Sequence, residues 1–179
     1  MKIGIDISQL AYKETGVANY LENLVAELIE KDRENEYILF FSSLRGNMNH
    51  TKLTVPGNNS KVTIKKFKFP LFFLEIIWNR LHIFPIEWFI GDIDLYITSD
   101  WVEPPVRTAK KATILYDLVV FLYPKETAKK IIQTQKKKLA WVKKESSIIF
   151  CISGSTARDA KKILGIDENK FRVIYPGVS

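Results

Sequence analysis

Of the 179 residues only one is cysteine and two are histidine, and these scarcities remove whole classes of chemistry. Cys151 lies in the apolar run Ile148-Ile-Phe-Cys-Ile152 and has no second cysteine to bridge to. No disulfide framework is expected, and a reducing, cytosolic setting fits. No His or cationic residue adjoins Cys151 to lower its pKa, which argues against a nucleophile. His50 and His82 are too far apart for ligand spacing, so no metal site is predicted. Gly-x-Gly-x-x-Gly and the P-loop Gly-Lys-Ser/Thr are both missing, which excludes the usual dinucleotide and triphosphate cradles. Long apolar runs are missing too. Lys2 and Asp6 leave no room for a signal peptide, and Phe67 to Ile90 is broken by Lys68, Pro70, Glu75, Arg80 and Pro85. That is short of the roughly 20 uninterrupted residues a spanning helix needs.

What remains is an ordinary globular balance, with 46% hydrophobic and 26% charged residues. A chain of this length forms one α/β domain, burying about two thirds of the surface it exposes when unfolded. Short apolar runs at Ile3–Ile7, Tyr37–Phe41, Val62–Phe67, Ile93–Thr98, Thr113–Tyr116, Ile148–Ile152 and Phe171–Ile174 read as strands. Val17, Tyr20, Leu21, Leu24, Val25 and Leu28 recur at three- and four-residue steps, which predicts a helix over Gly16–Lys31. Leu71–Phe84 has helical spacing, with Phe73, Ile77, Leu81 and Phe84 on its core face, and Asn47–Ser60 reads as a loop. A Lys-rich helix falls within Lys125–Lys144, and Ser155 and Gly165 bracket a helix over Thr156–Leu164. This alternation predicts a doubly wound, mainly parallel Rossmann-like sheet with helices on both faces. The domain is expected to occupy residues 1–174. The closing Tyr175-Pro-Gly-Val-Ser179 reads as the start of a hinge toward a further domain.

Ligands of such sheets sit at the carboxyl ends of the strands. The residues there are Ser8–Gly16, Ser99–Trp101, Tyr116, Asp117 and Ser153–Ser155. Gly16 opens the first helix, whose free N–H groups and dipole favour an anion such as a phosphate; the competing reading is a tight turn. Asp117 is a candidate for orienting a substrate hydroxyl, or else a residue that turns its own loop. Asp100 and Trp101 offer a carboxylate and a flat apolar face to a sugar, or Trp101 closes a core edge.

Several of these segments together resemble the N-terminal domain of GT-B fold glycosyltransferases of family four. They are Ile3-Gly-Ile-Asp6, Thr15-Gly-Val-Ala-Asn-Tyr20-Leu, Ala112-Thr-Ile-Leu-Tyr-Asp117-Leu, Ile149-Phe-Cys-Ile-Ser153-Gly-Ser155 and Lys170-Phe-Arg-Val-Ile-Tyr-Pro-Gly-Val178. The resemblance covers both ends of the chain and thins between Asn47 and Gly91. It implies a retaining, mannosyltransferase-like enzyme of cell-surface polysaccharide or glycolipid assembly that takes a GDP- or UDP-sugar as substrate and needs no cofactor. It implies further that a C-terminal donor-binding domain, with its paired glutamates and basic residues, holds most of the nucleotide sugar. The present half would then bind the acceptor, a sugar or lipid-linked sugar. On this reading Asp117 is catalytic, Tyr116, Asp100, Trp101 and Ser153 contact the acceptor, and Gly16 and Val17 reach the donor phosphates. Tyr116 stands where the family pattern has histidine, and a phenol of reference pKa about 10 cannot share charge near neutrality as imidazole does. A stand-alone nucleotide- or sugar-binding module is the alternative.

The net charge of +7 is concentrated on the Lys-rich helix. Ala128, Ile132, Leu139 and Val142 form a stripe that can pack on the sheet, with the lysines on the outer arc. Lys130, Lys137 and Lys144 beside Trp141 suit an anionic membrane surface, which would make the protein peripheral on the inner face of the membrane; a solvated helix is the bland alternative. Exposure of Phe72, Trp78 or Trp88 in one patch would favour a polyprenyl carrier over core packing. No nucleic-acid motif appears, and Arg is scarce beside Lys, so no specific nucleic-acid partner is expected.

Overall fold

The structure, a computed structural model, describes residues 1–12, 15–46, 48, 53 and 61–177. The predicted loop over Asn47–Ser60 lies outside them except for Met48 and Leu53, which packs into the core.

Seven strands form one sheet in the order β3-β2-β1-β4-β5-β6-β7, and every pair is parallel. They are β1 (Lys2–Asp6), β2 (Glu36–Ser42), β3 (Val62–Phe67), β4 (Leu95–Thr98), β5 (Lys110–Leu115), β6 (Ser146–Cys151) and β7 (Phe171–Val173). The order reverses between β1 and β4, which makes this junction the switch point of a doubly wound fold.

Helix α1 (Gly16–Lys31) covers one face. Its Ala18, Leu21, Val25 and Ile29 pack on Ile5, Ile7, Leu39 and Phe41, at about 1.5–3 kcal/mol for each fully buried large aliphatic side chain. Thr15 caps it, its Oγ1 accepting from Ala18 N at 3.1 Å. The opposite face carries α2 (Leu71–Leu74), a π turn (Glu75–Arg80), α3 (Glu87–Ile90), α5 (Lys129–Glu145) and α6 (Gly154–Leu164). One-turn helix α4 (Val119–Leu122) follows β5.

Three expectations need correction. The helix over Leu71–Phe84 stops at Arg80, and its last turn is π-wound: Leu81 N donates to Ile76 O at 3.0 Å, five residues back. The extra residue moves Leu81 from behind Ile77, which is buried, to behind Ile76, which is not. Phe73, Leu81 and Phe84 are therefore exposed, and only Ile77 of the expected stripe faces the core. Trp78 is fully buried, so the exposed aromatics between Phe67 and Ile90 are Phe72, Phe73, Phe84 and Trp88. Second, Ser153, not Ser155, caps α6: its Oγ accepts from Thr156 N at 3.0 Å, the third helical residue, whereas Ser155 is already inside the first turn. Gly165 does end that helix, at φ +58°.

Third, the lysines of α5 do not all lie on its outer arc. Lys138 is 1% exposed and shares the buried stripe with Thr134, Leu139 and Val142, while Ala128 precedes the helix and is exposed. Its Nζ donates to Ser99 O at 2.5 Å. A second buried lysine, Lys111, is the second residue of β5 and pairs with Glu103 and Glu145, each at 2.9 Å. Glu145 in turn meets His82 Nε2 at 2.8 Å, and His82 stacks on Trp141 with centroids 3.5 Å apart. Glu103 also accepts from Thr98 Oγ1 at 2.7 Å. A connected ionic network is thus sealed between the sheet and α5, where each charge is partnered.

Candidate functional site

Three cavities open at the carboxyl edge of the sheet. The first, 620 Å³, lies between α1 and the ends of β5, β6 and β7, and is lined by Gly16, Val17, Tyr116, Asp117, Ile152 and Tyr175 among others. The second, 170 Å³, adjoins it and brings Val17, Asp100, Trp101, Tyr116, Asp117 and Lys138 together. A third of 420 Å³ lies on the other side of Trp101, over β1 and β2.

Six of the seven residues expected at the cleft therefore share the first two cavities, although they come from three separate segments. Ser153 is not among them. Its hydroxyl is spent within its own helix turn, accepting from Thr156 N and lying 2.9 Å from Thr156 Oγ1. At Gly16 the backbone is not left-handed, and a side chain there would meet nothing within 4 Å, so a tight turn does not explain the glycine. Among the described residues no hydrogen bond engages the Gly16 or Val17 N–H groups, because Thr15 caps further along at Ala18. They face the 620 Å³ cavity from the positive end of a four-turn helix.

Asp117 is exposed. Its Oδ1 accepts from Val119 N at 3.0 Å, so it turns its own loop and still presents a carboxylate to both cavities. Asp100 is half-buried, and burial raises its pKa; Lys138 opposes that shift and Asp117 adds to it. Two carboxylates and one ammonium thus share a field around a small cavity. Tyr116 is buried, its hydroxyl 3.1 Å from Ser99 Oγ, its ring edge-on to Tyr20 at 5.7 Å. Burial pushes its pKa up, which keeps it a neutral hydrogen-bonding group. Tyr20 hydroxyl donates to Ile174 O at 3.2 Å and ties α1 to the segment leaving β7.

Sequence reasoning missed Asp6, Gln9, Arg45, Tyr20 and Lys138. Lys138 was legible in its four-residue step to Val142, and Asp6 as a charge ending an apolar strand; Arg45 carried no signal of its own. Cys151 is fully buried, and burial pushes its thiol up to about 11, which makes it unreactive. Among the described residues no cluster of His, Cys, Asp and Glu could hold a metal ion, and no helix is long and apolar enough to cross a membrane.

The lysine face divides. Lys130, Lys137 and Lys144 are exposed, and the first two border a shallow hollow with Glu75 and Arg80. Trp141 turns inward: its Nε1 donates to Asn79 O at 3.1 Å, its ring stacks on His82, and Lys144 Nζ lies 4.9 Å from its centroid.

No protein-family model and no curated protein matches the chain.

Proposed function

We propose that this chain is the acceptor-side half of a two-domain, retaining glycosyltransferase that uses a nucleotide sugar. The observation that carries the reading is the convergence of the unengaged Gly16 and Val17 amides, the Asp117 carboxylate and the Tyr116 ring on one 620 Å³ cavity at the carboxyl edge of a parallel sheet. Amides at a helix start suit the departing diphosphate, and a carboxylate across the cavity suits an acceptor hydroxyl. Retaining transfer asks mainly for that kind of positioning and charge stabilisation. Asp117 orients the hydroxyl, Asp100 and Trp101 hold the sugar that bears it, and Ser153 serves by fixing α6. The donor is a GDP- or UDP-sugar, most of it held by a second α/β domain.

The same reading sets the protein on the inner membrane face. Phe72, Ile76 and Leu81 are exposed along α2 and at the π turn, and Arg80 of that turn borders one hollow with Glu75, Lys130 and Lys137, a mixture of apolar and cationic groups that suits an anionic lipid surface.

The test is release of free nucleoside diphosphate from GDP-mannose and UDP-glucose, measured for the 179-residue chain alone and after supplying the donor-binding domain. Turnover only with that domain, lowered at least about 100-fold by Asp117→Asn, is the expected result. Full turnover by the chain alone overturns the two-domain reading. Saturable nucleotide binding without turnover under either condition would favour a stand-alone binding module.

A further inference from the structure

The 420 Å³ cavity takes no part in the reading above, yet it occupies the position that the topology marks out. It sits over the junction where strand order reverses, lined by Asp6 and Gln9 after β1, Ser43 and Arg45 after β2, and Trp101 after β4. In open α/β sheets the crevice at this reversal is where ligands bind.

Its polar groups are built in and incompletely used. Gln9 is 6% exposed, lines the cavity, and has no hydrogen-bond partner for its side chain among the described residues. Its amide is not among the buried side-chain atoms that lack a partner, so it opens on the cavity with both donor and acceptor available to a ligand. Asp6 is 3% exposed, its Oδ1 accepts from Ser8 N at 2.9 Å, and the Ser8 hydroxyl also acts on its carboxylate. Lys138 and Glu103 lie within electrostatic reach behind it. Ser43 Oγ accepts from Gly46 N at 2.8 Å, which leaves its proton free to donate. Leu71, Leu74 and Trp101 supply the apolar wall, and exposed Arg45 stands at the mouth.

This set fits a polyhydroxylated ring. An amide, a hydroxyl and a carboxyl offer donors and acceptors in alternation, as vicinal hydroxyls need, and an indole suits the C–H face of a pyranose. A phosphate would call for several cations or free amides, and among the described residues Arg45 is the one cation lining the cavity.

We propose that the switch-point cavity is a hexopyranose subsite in which Gln9 and Asp6 take ring hydroxyls and Trp101 packs on the sugar face. The proposal deepens the glycosyltransferase reading, on which it rests for the sugar class, by placing a second sugar ring of the acceptor on the far side of Trp101, beyond the ring whose hydroxyl Asp117 orients.

The experiment titrates the 179-residue chain with methyl glycosides of glucose, mannose, galactose, N-acetylglucosamine and glucuronic acid, and follows the four tryptophan indole N–H signals by NMR. Saturable binding of at least one glycoside should shift the Trp101 signal. The Trp78 and Trp141 signals should stay still, since their indole N–H groups are held by Phe84 O and Asn79 O. Gln9→Met, close to isosteric, should weaken that binding about tenfold with an unchanged spectrum in the absence of sugar. Should Gln9→Met not fold, Ser43→Ala takes its place with the same expected weakening, because Ser43 lines this cavity and not the two that hold Asp117, whereas Trp101 borders both sides. Binding that leaves the Trp101 signal unmoved, binding indifferent to Gln9→Met in a folded variant, or no binding by any glycoside overturns the subsite. A preference for the glucuronide over the glucoside that is lost in Arg45→Gln would support the same site with an acidic sugar. Nucleotide-sugar turnover is scored separately: turnover without hexose binding here removes the subsite and leaves the transferase standing, whereas Gln9-dependent hexose binding without any turnover does the reverse.

Discussion

A carboxylate at the end of the central strand is a costly residue unless its environment answers it, and Asp6 is answered only in part. Burial raises its pKa, outweighing the lowering contributions from Ser8 and Lys138. With the folded value above the unfolded one, the native state binds the extra proton. The stability this brings is present below the unfolded pKa and is lost as pH rises through the folded one. Relative to Asp6→Asn, the unaltered protein should therefore lose stability as pH rises above the ordinary carboxylate range, as read from urea unfolding. A gap that is flat or grows the other way would remove the desolvated carboxylate. Glu103 poses the opposite case. It is fully buried and answers both Lys111 and Thr98, so Glu103→Ala should cost about 3 kcal/mol, softened because Lys111 keeps Glu145. A loss under about 1 kcal/mol in urea melts would mean that the network is not held as described. Ser153 separates two roles by one substitution. As a cap, Ser153→Ala costs about 1 kcal/mol and leaves substrate binding intact. A fall in acceptor affinity with unchanged stability would restore it to the site.

Secondary structure shows where legibility ends. Seven strands, helix α1 and the Gly165 stop were readable because each depends on local composition: apolar runs, three- and four-residue steps, a left-handed glycine. Strand β5 was read from Thr113 although it starts at Lys110, because a lysine buried by Glu103 and Glu145 looks like any other lysine until the fold brings its partners near. The candidate site was legible as a set of loops, since parallel strands deliver their carboxyl ends to one edge. It was not legible as three cavities, because Gln9 and Arg45 become neighbours of Trp101 only through the strand order. The π turn is the clearest failure of periodicity. Ile77→Ala should cost about 3 kcal/mol and Leu81→Ala less than about 1, a contrast that α-helical spacing would not give. Equal losses in paired chemical melts would argue for a regular helix through Leu81.

At the scale of the molecule, exposed apolar residues and exposed cations both occur around the π turn. Phe72, Leu81 and Trp88 are about three-fifths exposed, Arg80 precedes Leu81 in the chain, and Arg80 borders one hollow with Lys130, Lys137 and Glu75. The protein should sediment with vesicles containing phosphatidylglycerol and not with pure phosphatidylcholine, and binding should fall with salt. Lys130→Gln combined with Lys137→Gln should weaken it by about 30-fold, at about 1 kcal/mol for each charge lost. On binding, Trp88 should blue-shift in fluorescence, whereas Trp141, stacked on His82, should not. Equal binding to neutral vesicles, or a response from Trp141 alone, would remove this surface.

Strand order also governs how the protein is made. Ile5 of β1 pairs with Ile97 of β4, about ninety residues later in the chain. At roughly 5–20 residues per second, a ribosome leaves one side of that central strand without its neighbour for about 5–20 s. During this interval the emerging half presents a bare row of amides and carbonyls beside the unfilled groove at Gly4, which later receives Tyr96. Nascent chains arrested before β4 should be the form most in need of chaperones.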